Sequence, residues 1–142
     1  MIGGQVVDVE SEGKNIDAAT LEFIHRKKTG ALMEAAMMTG AILAGADDEQ
    51  ILAMEQAAGK TGLAFQIRDD ILDVTGTEAE LGKPVGSDEK NSKVTYVSLY
   101  GLEHAEKEVK RLSDEAIALL EALPVKNQFL EELLMSLVSR RA

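Results

Sequence analysis

The 142 residues fit one domain, and 45% hydrophobic content is enough to bury a core. With no cysteine there is neither a disulfide framework nor a zinc–thiolate site, and His25 and His104 are too few for an all-imidazole metal centre. A formal charge of −10 argues against a nucleic-acid partner, whose backbone rewards a basic surface.

Two prolines and 4% aromatic residues, amid abundant Ala, Leu, Glu and Met, favour helix over sheet. The first predicted element covers residues 1–10 and carries Gly3 and Gly4 with no capping residue before them, an unusual way to begin a helix. No basic region followed by an apolar run marks a secretory signal, so a cytoplasmic location is expected.

A long helix is predicted over residues 17–45, with Asp17 as its cap. Leu21, Ile24, Lys28, Ala31, Ala35, Met38 and Ile42 recur three and four apart and form one packed face. The apolar run 35–46 falls short of the roughly 20 residues a membrane span needs.

A second long helix is predicted over residues 48–74. At about 100° per residue, Gln66, Asp69, Asp70 and Asp73 share an arc of roughly 100°, and Gly59 and Gly62 fall on the same arc. Arg68 points the opposite way, so it cannot neutralise the aspartates within this helix. Three crowded carboxylates on a mostly apolar helix form either a solvated acidic face or a site for a hard divalent cation, which takes oxygen ligands. The two glycines are expected to leave room for a substrate against the helix backbone.

Residues 76–93 form a glycine- and lysine-bearing connection, either an ordinary solvated loop or one that closes over a phosphorylated ligand. Lys28, set within an apolar stripe, has two readings as well. Its stem either covers the core while the ammonium reaches water, or it aims inward at an anion. From residue 94 the chain is predicted helical again, broken at Gly101. The stripe Leu102, Ala105, Val109, Leu112, Ala116, Leu119 and Leu123 ends at Pro124. Asn127 caps a last helix whose end carries Arg140 and Arg141. The predicted class is all-α, a helical bundle.

Taken in order, Gly3-Gly4-Gln5 with Asp8, Lys28-Thr29-Gly30, Phe65-Gln66 with Asp69-Asp70 and Asp73, Gly82-Lys83, and Lys93 with Thr95-Tyr96 resemble the trans-prenyl diphosphate synthases. This is the farnesyl and geranylgeranyl diphosphate synthase family, and the likeness covers essentially the whole chain. It implies the C-terminal part of the isoprenoid (terpenoid) synthase fold over residues 1–142.

The implied reaction is Mg²⁺-dependent head-to-tail condensation of isopentenyl diphosphate with an allylic diphosphate, dimethylallyl or geranyl, with farnesyl diphosphate as the expected product. By the same resemblance Asp69, Asp70 and Asp73 are the metal motif, with Asp69 the expected direct ligand. Lys28, Lys83 and Lys93 hold the departing diphosphate. Thr29 and Gln66 face the developing cation. Gln5 and Asp8 line the cavity, Asp8 paired with a basic group. Some relatives place basic residues near isopentenyl diphosphate where Arg140 and Arg141 stand.

The family's first aspartate motif and its arginine pair are not among these residues, and Asp47-Asp48-Glu49 is no substitute. The chain is therefore expected to be the C-terminal half of a prenyltransferase, inactive alone, self-associating through uncovered apolar surface, and homodimeric in its parent. The alternative is a non-catalytic helical partner subunit of a complete synthase.

Overall fold

The computed structural model describes residues 1–76 and 93–140. In chain order these form α1 (Ile2–Glu10), α2 (Ala18–His25), a π-helical turn (Arg26–Gly30), α3 (Ala31–Leu43), α4 (Asp48–Thr75), α5 (Tyr96–Tyr100), α6 (Leu102–Glu121) and α7 (Gln128–Ser139). Residues 77–92 of the predicted connection, Gly82 and Lys83 among them, lie outside the described residues, as does Arg141.

The helix ends follow local chemistry. Asp17 accepts the Thr20 N–H, and Asp47 and Gln50 form a reciprocal capping box at the start of α4. Asn127 accepts the Leu130 N–H at the start of α7. Gly101, at φ +82°, supplies the left-handed residue that separates α5 from α6.

Helix α4 is the axis. Its 28 residues span about 42 Å at 1.5 Å each, and α2, the π turn, α3, α5, α6 and α7 all pack on it. Toward α6 it presents small and branched apolar residues. Ala57, Ala64 and Ile67 are 0% exposed and meet Ala105, Leu112, Ala116 and Leu120. Alanines on both partners let the backbones approach closely, and full burial of Ile67 and Ile71 stabilises the pair by about 1.5–3 kcal/mol each. Leu134 and Val138 of α7 close the two core clusters. No described helix is long and apolar enough to cross a membrane.

The predicted helix over 17–45 is continuous but not uniform. The π turn holds one more residue per turn than an α-helix, which delays the inward face. Leu21 and Ile24 are buried as expected, whereas Ala35 and Ile42 of the predicted stripe are exposed. Met33, Met37 and Ala41 take the inward places, Met33 against Gly62 and Met37 against the α4–α6 core.

Candidate active site

Glycine builds the corner in which the charged residues meet. A Cβ on Gly4 would lie 2.4 Å from the Lys27 carbonyl carbon and 2.5 Å from the Lys28 nitrogen, so only glycine lets α1 rest on the π-turn backbone. A Cβ on Gly62 would lie 2.7 Å from the Gly30 Cα, so α4 meets the same turn from the other side. The unusual glycine at the start of α1 is thus a packing requirement. Gly59 and Gly62 do not leave open space for a substrate, as their sequence position suggested. A Cβ on Gly62 would meet Gly30 and Met33, and a Cβ on Gly59 would lie 2.8 Å from the Glu34 carboxylate.

These contacts bring α1, the π turn and α4 around a pocket of about 140 Å³, lined by Asp8, Lys28, Gln66, Asp69, Asp70 and Lys93 among others. Lys28 Nζ donates to Asp8 Oδ2 at 2.7 Å, and Lys93 Nζ lies 3.7 Å from Asp8 Oδ1. One carboxylate therefore holds two ammonium groups at one wall. Burial pushes the Asp8 carboxyl up, but the Lys28 hydrogen bond and the charges of Lys93 and Lys28 outweigh it and hold it below its ordinary value. The Thr29 hydroxyl donates to Gln66 Oε1 at 3.1 Å, tying the π turn to α4.

The three aspartates have different surroundings. Asp73 is 2% exposed and Asp70 9%, whereas the Asp69 side chain keeps 42% of its surface. Asp70 Oδ2 accepts the Tyr96 N–H at 2.7 Å, so it also seats the first turn of α5. Asp69 Oδ1 accepts from Arg140 Nη2 at 2.8 Å. Arg68 touches neither neighbouring aspartate by these bonds. Its Nε and Nη2 donate to the Arg140 carbonyl at 3.2 and 3.1 Å.

Of the residues singled out in the sequence, Asp8, Lys28, Gln66, Asp69, Asp70 and Lys93 line one pocket, and Thr29 joins it through Gln66. Gln5 is exposed on α1, and Asp73 is buried beneath the rim. Sequence reasoning missed His25. Burial pulls its imidazole down to about 4 against the opposing charges of Asp8 and Asp69, so it is neutral where it faces Asp70 at 4.0 Å. Its place beside Ile24 in the packed stripe was the available signal.

A larger cavity of about 660 Å³ lies beyond His25, between α2, α4 and α6. The cations along it are already spent on carboxylates, Arg26 on Glu22, Lys60 on Glu115 and Arg111 on Glu108. Among the described residues its three cations, Arg26, Lys60 and Arg111, are thus each paired with a carboxylate.

The donor set fits a hard divalent cation at Asp69. Among the described residues no three Asp, Glu or His side chains gather closely enough to hold a metal by themselves. Mg²⁺ does not need that, because it commonly uses one or two carboxylates with phosphate oxygens and water. Asp69 is the one carboxylate of the motif that stands substantially open at the pocket, and Lys28 and Lys93 line the same pocket.

The model of the family described as polyprenyl synthetase matches residues 1–133. Among curated proteins, the dimethylallyltranstransferase of Fischerella ambigua is 51% identical over 117 residues, 82% of this chain and 34% of that protein. The farnesyl diphosphate synthase of Geobacillus stearothermophilus is 47% identical over 109 residues, 77% of this chain and 37% of that protein. The chain thus spans little more than a third of the length of these two relatives. A geranyltransferase from Helicobacter pylori, solved with magnesium and isoprenyl diphosphate, superposes with a TM-score of 0.78 at 35% identity, covering 97% of this chain and 45% of that one. A heptaprenyl diphosphate synthase from Staphylococcus aureus, at 22% identity, shares the fold with a TM-score of 0.92, covering 99% of this chain and 56% of that one.

Proposed function

Because the chain belongs to the polyprenyl synthetase family, we propose that its pocket is the diphosphate- and metal-binding part of a prenyl chain-elongating site. The reaction is condensation of isopentenyl diphosphate with an allylic diphosphate, dimethylallyl or geranyl. The allylic carbon–oxygen bond breaks, a carbon–carbon bond forms, and the proton lost at the end passes to the departing diphosphate. The farnesyl name of the Geobacillus relative supports farnesyl diphosphate as the product.

One observation carries this reading. Two lysines, one bridging carboxylate, the Thr29–Gln66 pair and the open carboxylate of Asp69 converge on a single pocket. Lys28 and Lys93 hold the diphosphate, and Asp8 keeps both ammonium groups in place between turnovers. The Thr29 hydroxyl spends its proton on Gln66, which leaves oxygen lone pairs for positive charge developing on the allylic carbon. Mg²⁺, with Asp69 as direct ligand and Asp70 and Asp73 behind it, would act as a Lewis acid on the leaving group. Lys83 belongs to the proposed set through sequence resemblance alone. With one aspartate motif, the 142 residues by themselves are proposed to bind substrate without turning it over.

Equilibrium binding of labelled geranyl diphosphate tests this. Retention should require Mg²⁺ and weaken at least about tenfold in Asp69→Asn, the scale of losing a charged ligand group. The same mixture with isopentenyl diphosphate should yield no longer product. Equal binding without Mg²⁺, or to the variant, would remove the reading.

The same proposal includes a homodimeric parent and self-association of these residues. Ile2, Val6 and Val9 of α1 and Leu32 and Leu43 of α3 are 47–83% exposed, an apolar load that favours contact between copies. Sedimentation at micromolar concentration should show species heavier than 15.3 kDa, and a clean monomer would contradict it.

A further inference from the structure

We infer that Arg140 is a built-in counter-ion for Asp69 that competes with a divalent cation for that carboxylate, and that Arg68 is the residue that positions it. The inference rests on Asp69 being a metal ligand, as proposed above. The geometry is a three-point latch. Past the last residue of α7 the backbone turns extended at Arg140, with φ −55° and ψ 150°. Its carbonyl then meets the fork of Arg68, at 3.2 Å from Nε and 3.1 Å from Nη2. The Arg140 side chain folds back over the Phe65 ring, 4.0 Å from the centroid, and Nη2 reaches Asp69 Oδ1 at 2.8 Å. Phe65 lies three residues before Arg68 and four before Asp69 on α4, so the three points fall within about 100° of the helix, with Arg68 opposite the centre of the aspartate arc and Asp69 at its near edge.

The latch is built to open. The Asp69 side chain is 42% exposed and that of Arg140 25%, so water can replace the pair without disturbing the core. Arg140 Nε is buried with no hydrogen-bond partner, a cost that parting the pair relieves. The guanidinium holds Oδ1, so a divalent cation arriving at this carboxylate, on either oxygen, meets a positive charge a few ångströms away and competes with it for the same negative charge. Arg140 thus keeps Asp69 neutralised while no metal is bound, and it lowers the apparent metal affinity by the free energy of the pair.

The test is direct Mn²⁺ binding to the full chain without substrate, with free Mn²⁺ read by electron paramagnetic resonance at fixed ionic strength. Arg140→Gln should bind Mn²⁺ about two- to fivefold more tightly, the range of a half-exposed ion pair. Arg68→Ala should shift affinity in the same direction by less, because the guanidinium of Arg140 remains but its anchor is lost. Asp69→Asn should weaken binding, and adding Arg140→Gln to it should change nothing further. Unchanged or weaker affinity in Arg140→Gln, with Asp69→Asn still weakened, overturns the latch and leaves the metal reading intact. Mn²⁺ affinity unmoved by Asp69→Asn removes the metal reading and the latch together. A metal-free readout guards against a folding artefact. The Arg140 Nε–H resonance should move in Asp69→Asn, and a resonance that stays in place overturns the ion pair itself.

Discussion

The two sides of α4 are held by different forces. Toward α6, fully buried Ala57, Ala64, Ile67 and Ile71 meet alanines and leucines, and the contact is apolar. Toward α1 and the π turn, Gly62 touches Gly30, Gly4 touches the Lys27–Lys28 backbone, and polar pairs span the joint. The first side gives the bundle its stability through area removed from water. The second has little apolar area and relies on backbone proximity, which makes it specific in shape and easy to disturb. A site that must admit a charged ligand belongs on the second side.

Substitutions on each side should separate stability from binding. Ile67→Ala should cost about 2–5 kcal/mol in chemical denaturation, because a fully buried branched chain is removed and a cavity left. Gly4→Ala should cost at most about 1–3 kcal/mol, since alanine raises helix propensity while α1 is pushed off the π turn. Its effect should fall on binding, with loss of the Asp8–Lys28 contact and of most diphosphate affinity. A Gly4→Ala chain that binds normally would show that α1 does not form the pocket.

The smallest effect is electrostatic. The Asp8 carboxyl is held below its ordinary value of 3.8 in the folded chain. Its contribution to stability is fully present above that value and fades as pH falls through the lower folded one. Asp8→Asn should therefore flatten the loss of stability below about pH 4 and leave the profile above it parallel to wild type. An acid limb of unchanged steepness would mean that Lys28 and Lys93 do not hold this carboxylate in solution.

The apolar side was the legible one in sequence. Ala105, Leu112 and Ala116 recur at helical spacing, and Asp17, Gly101 and Asn127 mark ends by local chemistry, so short-range rules suffice. The aspartate arc was legible for the same reason, because it depends only on residues within one helix. The π turn was not. Periodicity reading assumes a constant pitch, and the extra residue in Arg26–Gly30 shifted the inward face away from Ala35 and Ile42. The purpose of Gly4, the neutrality of His25 and the Arg140–Asp69 pair were hidden for another reason. Each depends on a residue from a different helix, at separations that no local pattern encodes.

The central claim is that one pocket takes a metal at Asp69 and a diphosphate at Lys28 and Lys93. Crystals of the chain grown with Mn²⁺ and inorganic diphosphate test it most directly, through the anomalous signal of the metal. The account predicts an Mn²⁺ peak about 2.1–2.2 Å from an Asp69 oxygen, diphosphate oxygens within hydrogen-bond reach of Lys28 and Lys93, and Arg140 turned away. A metal and diphosphate bound elsewhere, with the Asp69–Arg140 pair still closed, would contradict it.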